Sequence, residues 1–504
     1  MSAKYIKWDI TGKCNLRCAH CSVGKNYFNN ELKEISCEQK LEIIDKLVEG
    51  GVEYLSLLGG EPLMMKEDLF SVVEHAVSKG LKISLVSNGL LLRDRIMERV
   101  IDSGINRLVI SVEGASSETH DFVRGKNTFE RVVNNIKNVT NYIEKKGSPL
   151  HVNINTVLNR LNYPEIEEMI DLCRQMQVNE WTLLSMGGVG FAEDNLEKLE
   201  ITPEQEIEAA RRVTQKYASD SNLNGLSISP LFCYPLIHDY IQEAYGFKMP
   251  KSRICCNAAI TLGFIAPDGN LYPCDRVCME NYTGFKIGDA EIRPMSLIDH
   301  SFYEIWNSDY YLNMFDLIVN ENTYKYYTPC NHCKYLTNRF CNPCPLYSLD
   351  SRVAIRTCHI VEKKLGDISV SDSEFPLVNE SLSSQSLTNI IEESEIDDYF
   401  TQITEKIPQK ISGLRSSERG NLLIILNPYK VEYACLNLIG KVLWDFIDGK
   451  TPVQKISSKI NKIADEIKMK VFKGISKHEL NPLLNKKIAP FFKMLSNMGL
   501  ITWR

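Results

Sequence analysis

The first 190 residues of this 504-residue chain alternate short strand-like runs with longer amphipathic segments. This alternation constrains the fold most, because β/α units in series build a parallel sheet with helices on its outer face. Six strands are predicted, at Tyr5–Asp9, Tyr54–Leu58, Lys82–Val86, Arg107–Val112, Val152–Val157 and Trp181–Ser185. Helices are predicted between them, at 37–49, 67–79, 93–103, 128–145 and 164–176. A doubly wound sheet and a full or partial β/α barrel all fit this pattern, which is therefore α/β in class.

Length and composition limit the other possibilities. A chain of this length is expected to form two to four domains. It contains no run of about 18 apolar residues and no signal-peptide layout at its N-terminus, so we expect a cytoplasmic protein with no membrane partner. In a reducing compartment, its sixteen cysteines favour metal binding over disulfides.

Composition divides the chain into three predicted domains and a linker. An α/β domain over 1–220 precedes a cysteine-rich part over 221–365, where long periodic segments are few. Residues 366–404 read as an acidic, serine-rich solvated linker. Residues 405–504 hold 18 Lys and Arg against 8 Asp and Glu, and their pattern predicts a winged-helix-like α+β domain with an anionic partner.

Three cysteines follow the first predicted strand at the spacing C-x3-C-x2-C. They are Cys14, Cys18 and Cys21 in "CNLRCAHC". A structural zinc ion needs four ligands and would have to recruit His20 or Cys37. Three thiolates also suit a [4Fe–4S] cluster whose fourth iron stays open to another ligand. The spacing favours the cluster but leaves zinc, or a chance group of core cysteines, as alternatives.

Polar or glycine-rich turns recur where successive strands end. "GGEP" at Gly59–Pro62, "SNG" at Ser87–Gly89 and "SVEG" at Ser111–Gly114 end the second, third and fourth strands. The carboxyl ends of parallel strands share one rim, where β/α folds place their active sites. An ordinary strand-to-helix turn is the alternative for any one of them. Together with the cysteine loop they predict a functional site on this rim.

"CNLRCAHC" together with "GGEP" resembles the radical S-adenosylmethionine (SAM) superfamily, whose fold is a partial (β/α)6 barrel. The resemblance implies that Cys14, Cys18 and Cys21 bind three irons of a [4Fe–4S] cluster and that SAM chelates the fourth. It further implies an electron donor such as ferredoxin or flavodoxin.

The same resemblance assigns residues to SAM. Glu61 would accept from the SAM amino group, and Ser111 and Arg124 match positions that contact the ribose and carboxylate. Glu113 stands where the superfamily usually has Asp. The predicted cofactor-binding residues are Gly59, Gly60, Glu61, Pro62, Ser87, Asn88, Ser111, Glu113 and Arg124.

Nine further cysteines crowd residues 255–358, where "CNHCKYLTNRFCNPC" gives C-x2-C-x7-C-x2-C. A zinc ribbon is one interpretation. The region also resembles the SPASM extension of radical SAM enzymes, which typically binds two auxiliary [4Fe–4S] clusters. By that resemblance one cluster takes Cys255 or Cys256 with Cys274 and Cys344, its fourth ligand being the other of the pair, Cys278 or substrate. The second cluster takes Cys330, Cys333, Cys341 and Cys358, although the usual family spacing is x2, x5, x3.

Asp275 follows Cys274 in "YPCDR". In sulfatase-maturing relatives an acid at the matching position serves as a base, so Asp275 is a candidate catalytic residue. The alternative is an Asp that hydrogen-bonds local backbone near the cluster.

The last hundred residues resemble the PqqD-like peptide-recognition domain (the RiPP recognition element). In that family the leader of a precursor peptide adds as a strand to a sheet edge. Lys430–Ala434 is the candidate docking strand, and the surplus of Lys and Arg favours an acidic leader, with no nucleic acid expected.

Taken together, the resemblances predict a radical SAM enzyme that modifies a ribosomally made precursor peptide by hydrogen abstraction. The product would be a thioether, a C–C or C–O cross-link, or a related oxidation. A sulfatase-type maturase or a small-molecule radical SAM enzyme is the first alternative. A non-enzymatic iron–sulfur or zinc regulator that binds DNA is the second.

Overall fold

A computed structural model gives the architecture. It describes residues 5–28, 33–219, 225–232, 234–248, 254–279, 286–287, 290–291, 293–319, 329–337, 341–344 and 354–367, and in the last hundred residues 402–403, 405–411, 414–419, 422–427, 432–436, 443–456, 491–492, 495–496 and 500–503. The predicted acidic linker therefore lies almost wholly outside the described residues.

Seven parallel strands form the centre of the molecule. They are β1 (Tyr5–Thr11), β2 (Tyr54–Gly59), β3 (Lys82–Ser87), β4 (Arg107–Ser111), β5 (His151–Leu158), β6 (Glu180–Ser185) and β7 (Ser227–Pro230), and they pair in that order. The six predicted strands are thus confirmed, and β7 adds a seventh. Because β1 pairs with a later strand on its other side, the described sheet stays open and does not close on β7.

Helices follow the strands as the sequence period predicts. In the first 219 residues they are α1 (Gly24–Tyr27), α2 (Cys37–Glu49), α3 (Glu67–Ser78), α4 (Asp94–Asp102), α5 (Ser117–Arg124), α6 (Phe129–Lys146), α7 (Ile166–Gln175), α8 (Phe191–Asp194), α9 (Leu196–Leu199) and α10 (Pro203–Ser219), with 3-10 turns at Pro62–Met65 and Tyr163–Glu165. Helix α2 begins with a capping box, in which Ser36 and Gln39 each accept a hydrogen bond from the other's backbone N–H.

Strand β1 explains how one short run serves two purposes. Ile6, Trp8 and Ile10 are fully buried in the apolar core. Lys7 and Asp9, which alternate with them, line a cavity instead. Since successive side chains of a strand point to opposite faces, β1 packs one face into the core and presents charged groups on the other.

The cysteine-rich part is joined to the same sheet. Its strands are β8 (Ile254–Cys255), β9 (Leu262–Ile265), β10 (Asn270–Tyr272), β11 (Lys286–Ile287), β12 (Ala290–Glu291), β13 (Met295–Ser296) and β14 (Cys341–Asn342). Strand β9 pairs parallel with β1, and β10 and β13 extend the sheet outward in antiparallel fashion. One apolar core therefore runs through both parts, from Ile6 to Val361.

The helices of this part are α11 (Pro235–Tyr245), α12 (Asp275–Met279), α13 (Phe302–Trp306), α14 (Asp309–Val319), α15 (Lys334–Thr337) and α16 (Ala354–Asp367). No helix in the described ranges is both long and apolar enough to cross a membrane.

The last hundred residues build a second, separate core. Strands β16 (Arg415–Arg419), β17 (Leu422–Asn427) and β18 (Glu432–Leu436) form an antiparallel sheet, and β15 (Pro408–Lys410) pairs with β19 (Ile501–Trp503). Ile403, Ile425, Trp444 and Phe492 pack together in that core. The first two residues of the predicted docking strand Lys430–Ala434 lie outside the described residues, and the rest belongs to β18, at an edge of the three-stranded sheet.

Candidate active site

A cavity of about 690 Å³ opens at the carboxyl ends of the parallel strands. Its wall combines the cysteine loop, the polar strand ends and part of the cysteine-rich region. The predicted site residues in this wall are Cys14, Cys18, Cys21, Gly59, Gly60, Ser87, Asn88, Ser111, Arg124, Cys256, Cys274, Asp275 and Cys344. Residues more than 300 positions apart in the sequence thus share one chamber.

The loop that carries Cys14, Cys18 and Cys21 is fastened along its length. Ala19 N donates to Val123 O at 2.7 Å, and Phe191 N donates to Cys21 O at 2.8 Å. Gly190 has a φ of 63°, and a Cβ at this position would lie 2.3 Å from Ser22 O. Only glycine permits this close approach, so the segment before α8 forms a tight support for the loop.

The three thiols suit a metal cluster chemically. Cys18 is 8% exposed, and none of the three forms a disulfide. Burial raises the pKa of Cys14 to about 11 and that of Cys21 to about 12, so an adjacent positive charge is needed for them to act as thiolates. Within the described residues no three Cys, His, Asp or Glu side chains converge on a single metal ion; the thiols instead line the cavity wall.

The "GGEP" turn holds the cysteine loop against β2. Gly60 N donates to Thr11 O, and Glu61 N donates to Lys13 O, each at 2.7 Å. A Cβ on Gly60 would lie 2.2 Å from Lys13 O, so a larger residue would displace the loop. The backbone of this turn therefore positions the thiols as well as lining the cavity.

Glu61 lies behind the cavity wall, and its expected role as acceptor for the SAM amino group stays a prediction. Its side chain is fully buried, and neither it nor Pro62 belongs to the cavity wall. The carboxylate accepts from Asn88 N at 2.7 Å, Ser87 Oγ at 2.9 Å and Leu63 N at 3.2 Å. Through these bonds Glu61 ties the ends of β2 and β3 together, while Gly59 and Gly60 of the same turn line the cavity.

Glu113 is likewise buried behind the cavity wall, where it binds the Arg124 side chain. Its Oε1 accepts from Arg124 Nη2 at 2.7 Å and lies 3.3 Å from His20 Nε2, while Oε2 accepts from Val157 N at 2.8 Å. Burial alone would raise the pKa of Glu113, but His20 and Arg124 hold it well below its usual value. Ser111 and Arg124 line the cavity, and Arg124 Nη1 lies 3.9 Å from Cys18 Sγ.

Asp275 faces the same cavity in an ion pair. Its Oδ2 lies 3.2 Å from Lys7 Nζ, and both side chains are about one-third exposed, at 36% and 31%. Burial acts to raise the pKa of Asp275, but the ammonium group of Lys7 outweighs it and lowers that pKa. Asp275 is therefore a carboxylate at neutral pH; its catalytic role stays a prediction.

Lys7, Asp9 and Tyr27 are cavity residues that the sequence reasoning missed. Asp9 is 4% exposed and accepts a hydrogen bond from the Tyr27 hydroxyl. The signal was present in "YIKWDIT", where two charged residues at alternate positions interrupt an apolar strand. Such residues belong to the inner face of the sheet, which the cavity occupies.

Asp9 is expected to make stability depend on pH. Burial raises its pKa to about 7, compared with about 4 in an unfolded chain. Between these two pKa values the folded state holds a proton that the unfolded state releases, so Asp9's contribution to stability is lost as pH rises from about 4 to about 7 and is constant above that. At about 1.4 kcal/mol per pKa unit, the loss amounts to roughly 4 kcal/mol.

Asp9→Asn keeps an acceptor for Tyr27 and is neutral at every pH. The melting temperature of the variant, measured relative to the parent at equal iron loading, is therefore expected to rise between pH 5.5 and 8.5. A constant difference over that range would contradict this assignment.

The later cysteines lie in two places, and the ligand sets that the SPASM resemblance implies for them stay a prediction. Cys256, Cys274 and Cys344 line the large cavity. Cys330, Cys333, Cys341 and Cys358, here called the four-thiol group, line a second, smaller cavity. Cys278 is in neither wall, and the Cys255 side chain lies outside the described residues.

Comparison with known proteins identifies these parts. The sequence signature of the radical SAM superfamily matches residues 8–173, and that of the SPASM iron–sulfur cluster-binding domain matches residues 255–334. The chain carries a radical SAM domain and a SPASM domain. The first domain implies an enzyme with a [4Fe–4S] cluster and SAM, and the second implies auxiliary iron–sulfur clusters.

Relatives of the radical SAM/SPASM chain have several activities. It is 25% identical to an AdoMet-dependent heme synthase of Oleidesulfovibrio alaskensis, over 68% of this chain and 82% of that protein. It is 29% identical to the PqqA peptide cyclase of Rhizobium meliloti, over 53% and 66%. The crystal structure of Streptococcus suis SuiB bound to precursor peptide SuiA superposes with a TM-score of 0.52 at 17% identity, covering 70% and 74%, which shows a common fold.

Proposed function

We propose that this radical SAM/SPASM enzyme modifies a ribosomally made precursor peptide by hydrogen abstraction. The observation that carries the proposal is the shared cavity, whose wall contains both the C-x3-C-x2-C loop and the SPASM residues Cys274 and Asp275. A substrate in this chamber would lie between the radical-generating site and an auxiliary site. The PqqA peptide cyclase and the SuiA-bound SuiB support a peptide as the substrate.

The proposed first site uses the rim of the barrel. Cys14, Cys18 and Cys21 would hold the cluster, which with SAM would supply the one-electron chemistry that abstracts hydrogen from an unactivated C–H bond. The proposed SAM contacts are Gly59, Gly60, Ser87, Asn88, Ser111 and Arg124, with Glu61, Pro62 and Glu113 behind them as supports. Arg124 offers a guanidinium suited to the SAM carboxylate, and Glu113 fixes its direction.

The proposed auxiliary sites use the SPASM cysteines. Cys274 and Cys344, with Cys255 or Cys256, hold the cluster nearer the large cavity, and the four-thiol group holds the other. Asp275, ionised beside Lys7, is placed to accept a proton from substrate in the cavity. The electron donor is a small cytoplasmic redox protein such as ferredoxin or flavodoxin.

The C-terminal domain is proposed to hold the leader of the peptide. It has its own apolar core, and strand β18 lies at the edge of its sheet. An edge strand offers unpaired N–H and C=O groups to which an extended leader can add. The excess of Lys and Arg over 405–504 favours an acidic leader.

A small-molecule substrate is the second candidate, since a heme synthase is similar over 68% of this chain. Anaerobic reconstitution tests the radical SAM chemistry that both candidate functions require. We expect about 8–12 irons per chain and release of 5′-deoxyadenosine on reduction with SAM. Co-expression with short open reading frames from the same locus, followed by mass spectrometry, tests the peptide substrate. Zinc in place of iron, with no SAM cleavage, would overturn the proposal.

A further inference from the structure

Tyr234 forms the partition between the two thiol-lined cavities. Of the described residues, it alone belongs to the walls of both. The four-thiol group lies on one side, and Cys344 with the large cavity lies on the other. Cys341 and Cys358 act electrostatically on the phenol more strongly than Glu206 or Cys344 does, and the Glu206 carboxylate is itself bound by the Thr357 hydroxyl. The ring therefore belongs chiefly to the four-thiol side.

Tyr234 is half-buried. Its hydroxyl makes no hydrogen bond to another residue that the structure describes. Tyr335, which lines the same small cavity, instead donates to both carboxylate oxygens of Asp239, at 2.7 and 2.8 Å. Since phenols inside a protein normally find an acceptor, the Tyr234 hydroxyl is available for something that the cavity is built to hold.

The small cavity offers sulfur as its acceptor. Its remaining described wall consists of Pro235, Leu236, Pro329, Leu336 and Pro343, besides the tyrosines and the four thiols. None of these side chains accepts hydrogen bonds. A donor that faces such a wall can be satisfied by thiolate or sulfide sulfur.

The backbone holds Tyr234 in place. It caps the N-terminus of α11, where its carbonyl accepts from Ile237 N at 2.9 Å and His238 N at 3.2 Å. Helix α11 packs against α16, which carries Cys358. The distance between the phenol and this thiol is thus set by two packed helices and not by a loop.

We propose that the Tyr234 hydroxyl donates a hydrogen bond to a sulfur of the iron–sulfur cluster held by the four-thiol group and thereby raises its reduction potential. The inference rests on the proposed ligand set. Reduction adds negative charge to the cluster sulfurs, and a donor directed at them stabilises the reduced state more than the oxidised state. Tyr234 is in this sense a positioning residue that tunes the cluster's reduction potential.

The test is an EPR-monitored redox titration of the full-length reconstituted enzyme without substrate. Cys358→Ala identifies the signal of the four-thiol group by removing it. Tyr234→Phe keeps the ring and is expected to shift the midpoint of that signal to lower potential at unchanged iron content. The signal of the Cys14–Cys21 cluster should keep its midpoint.

Tyr335→Phe is the matched control, because it removes a hydroxyl from the same cavity that is already bound to Asp239. It should leave the midpoint unchanged. An unchanged midpoint in Tyr234→Phe, an equal shift in both variants, or loss of iron from Tyr234→Phe would each overturn the inference. Full iron and an intact set of signals in Cys358→Ala would instead refute the proposed ligands, a failure distinct from that of Tyr234.

Discussion

Cys18→Ala is expected to abolish SAM cleavage and to remove about four irons per chain from the reconstituted enzyme. The thiol is 8% exposed, lines the large cavity and lies 3.9 Å from Arg124 Nη1. Loss of one of three thiolates leaves a cluster with too few protein ligands. Iron analysis and chromatography of 5′-deoxyadenosine measure the two effects.

Cys37→Ala is the control for this experiment. Cys37 is the first residue of α2 and is not part of the cavity wall, although a zinc site would have had to recruit it or His20. The control should keep full iron and full SAM cleavage. Normal iron and cleavage in Cys18→Ala would contradict the proposed ligand set, whereas loss of both in Cys37→Ala would favour a site that includes the α2 thiol.

The sequence period was sufficient to predict the barrel strands and helices, because each element packs one face into the same core. Helix 37–49 was predicted and is observed as Cys37–Glu49, and all six strands agree within a few residues. The sequence period of a strand does not show which other strand it pairs with. Strand β9 pairs with β1 across more than 250 residues, and neither run shows this in its own pattern.

The site was predictable to the level of residue position but not of side-chain direction. Motif order placed Glu61 and Glu113 at the rim, and they are there. The structure turns both carboxylates away from the cavity, because buried charges are stable only where enough donors meet them. Glu61 finds these in Ser87 and Asn88, and Glu113 finds them in Arg124 and Val157.

Asp9 and Tyr27 are cavity residues whose positions the motifs did not predict. Neither lies in a motif, and their partnership depends on the path of the chain through the intervening cysteine loop. Only the charge pattern of β1 indicated an inner-face role. Long-range pairs of this kind depend on tertiary packing. A single sequence indicates that packing only through the alternation of apolar and charged residues along a strand.

Deletion of 405–504 is expected to leave SAM cleavage intact and to abolish modification of the precursor peptide. Among the described residues the two apolar cores share no member, so removing the second core should not unfold the first. The leader would lose the edge of β18 and the surrounding basic charge, and with them the high effective concentration of the core peptide at the cavity. Peptide affinity measured by fluorescence anisotropy should fall at least about tenfold.

Salt dependence separates the contributions to that affinity. In the full-length enzyme the affinity should decrease as ionic strength rises, because an acidic leader on a basic domain is screened over about 10 Å at 0.1 M salt. The deleted variant should lose this dependence together with the binding. As the control for folding, the deleted variant should keep the iron content of the full-length enzyme and its rate of SAM cleavage in the absence of peptide. A deleted variant that still modified its substrate at the parental rate would place substrate recognition wholly in the radical SAM and SPASM domains and would favour the small-molecule alternative, since such a substrate needs no leader.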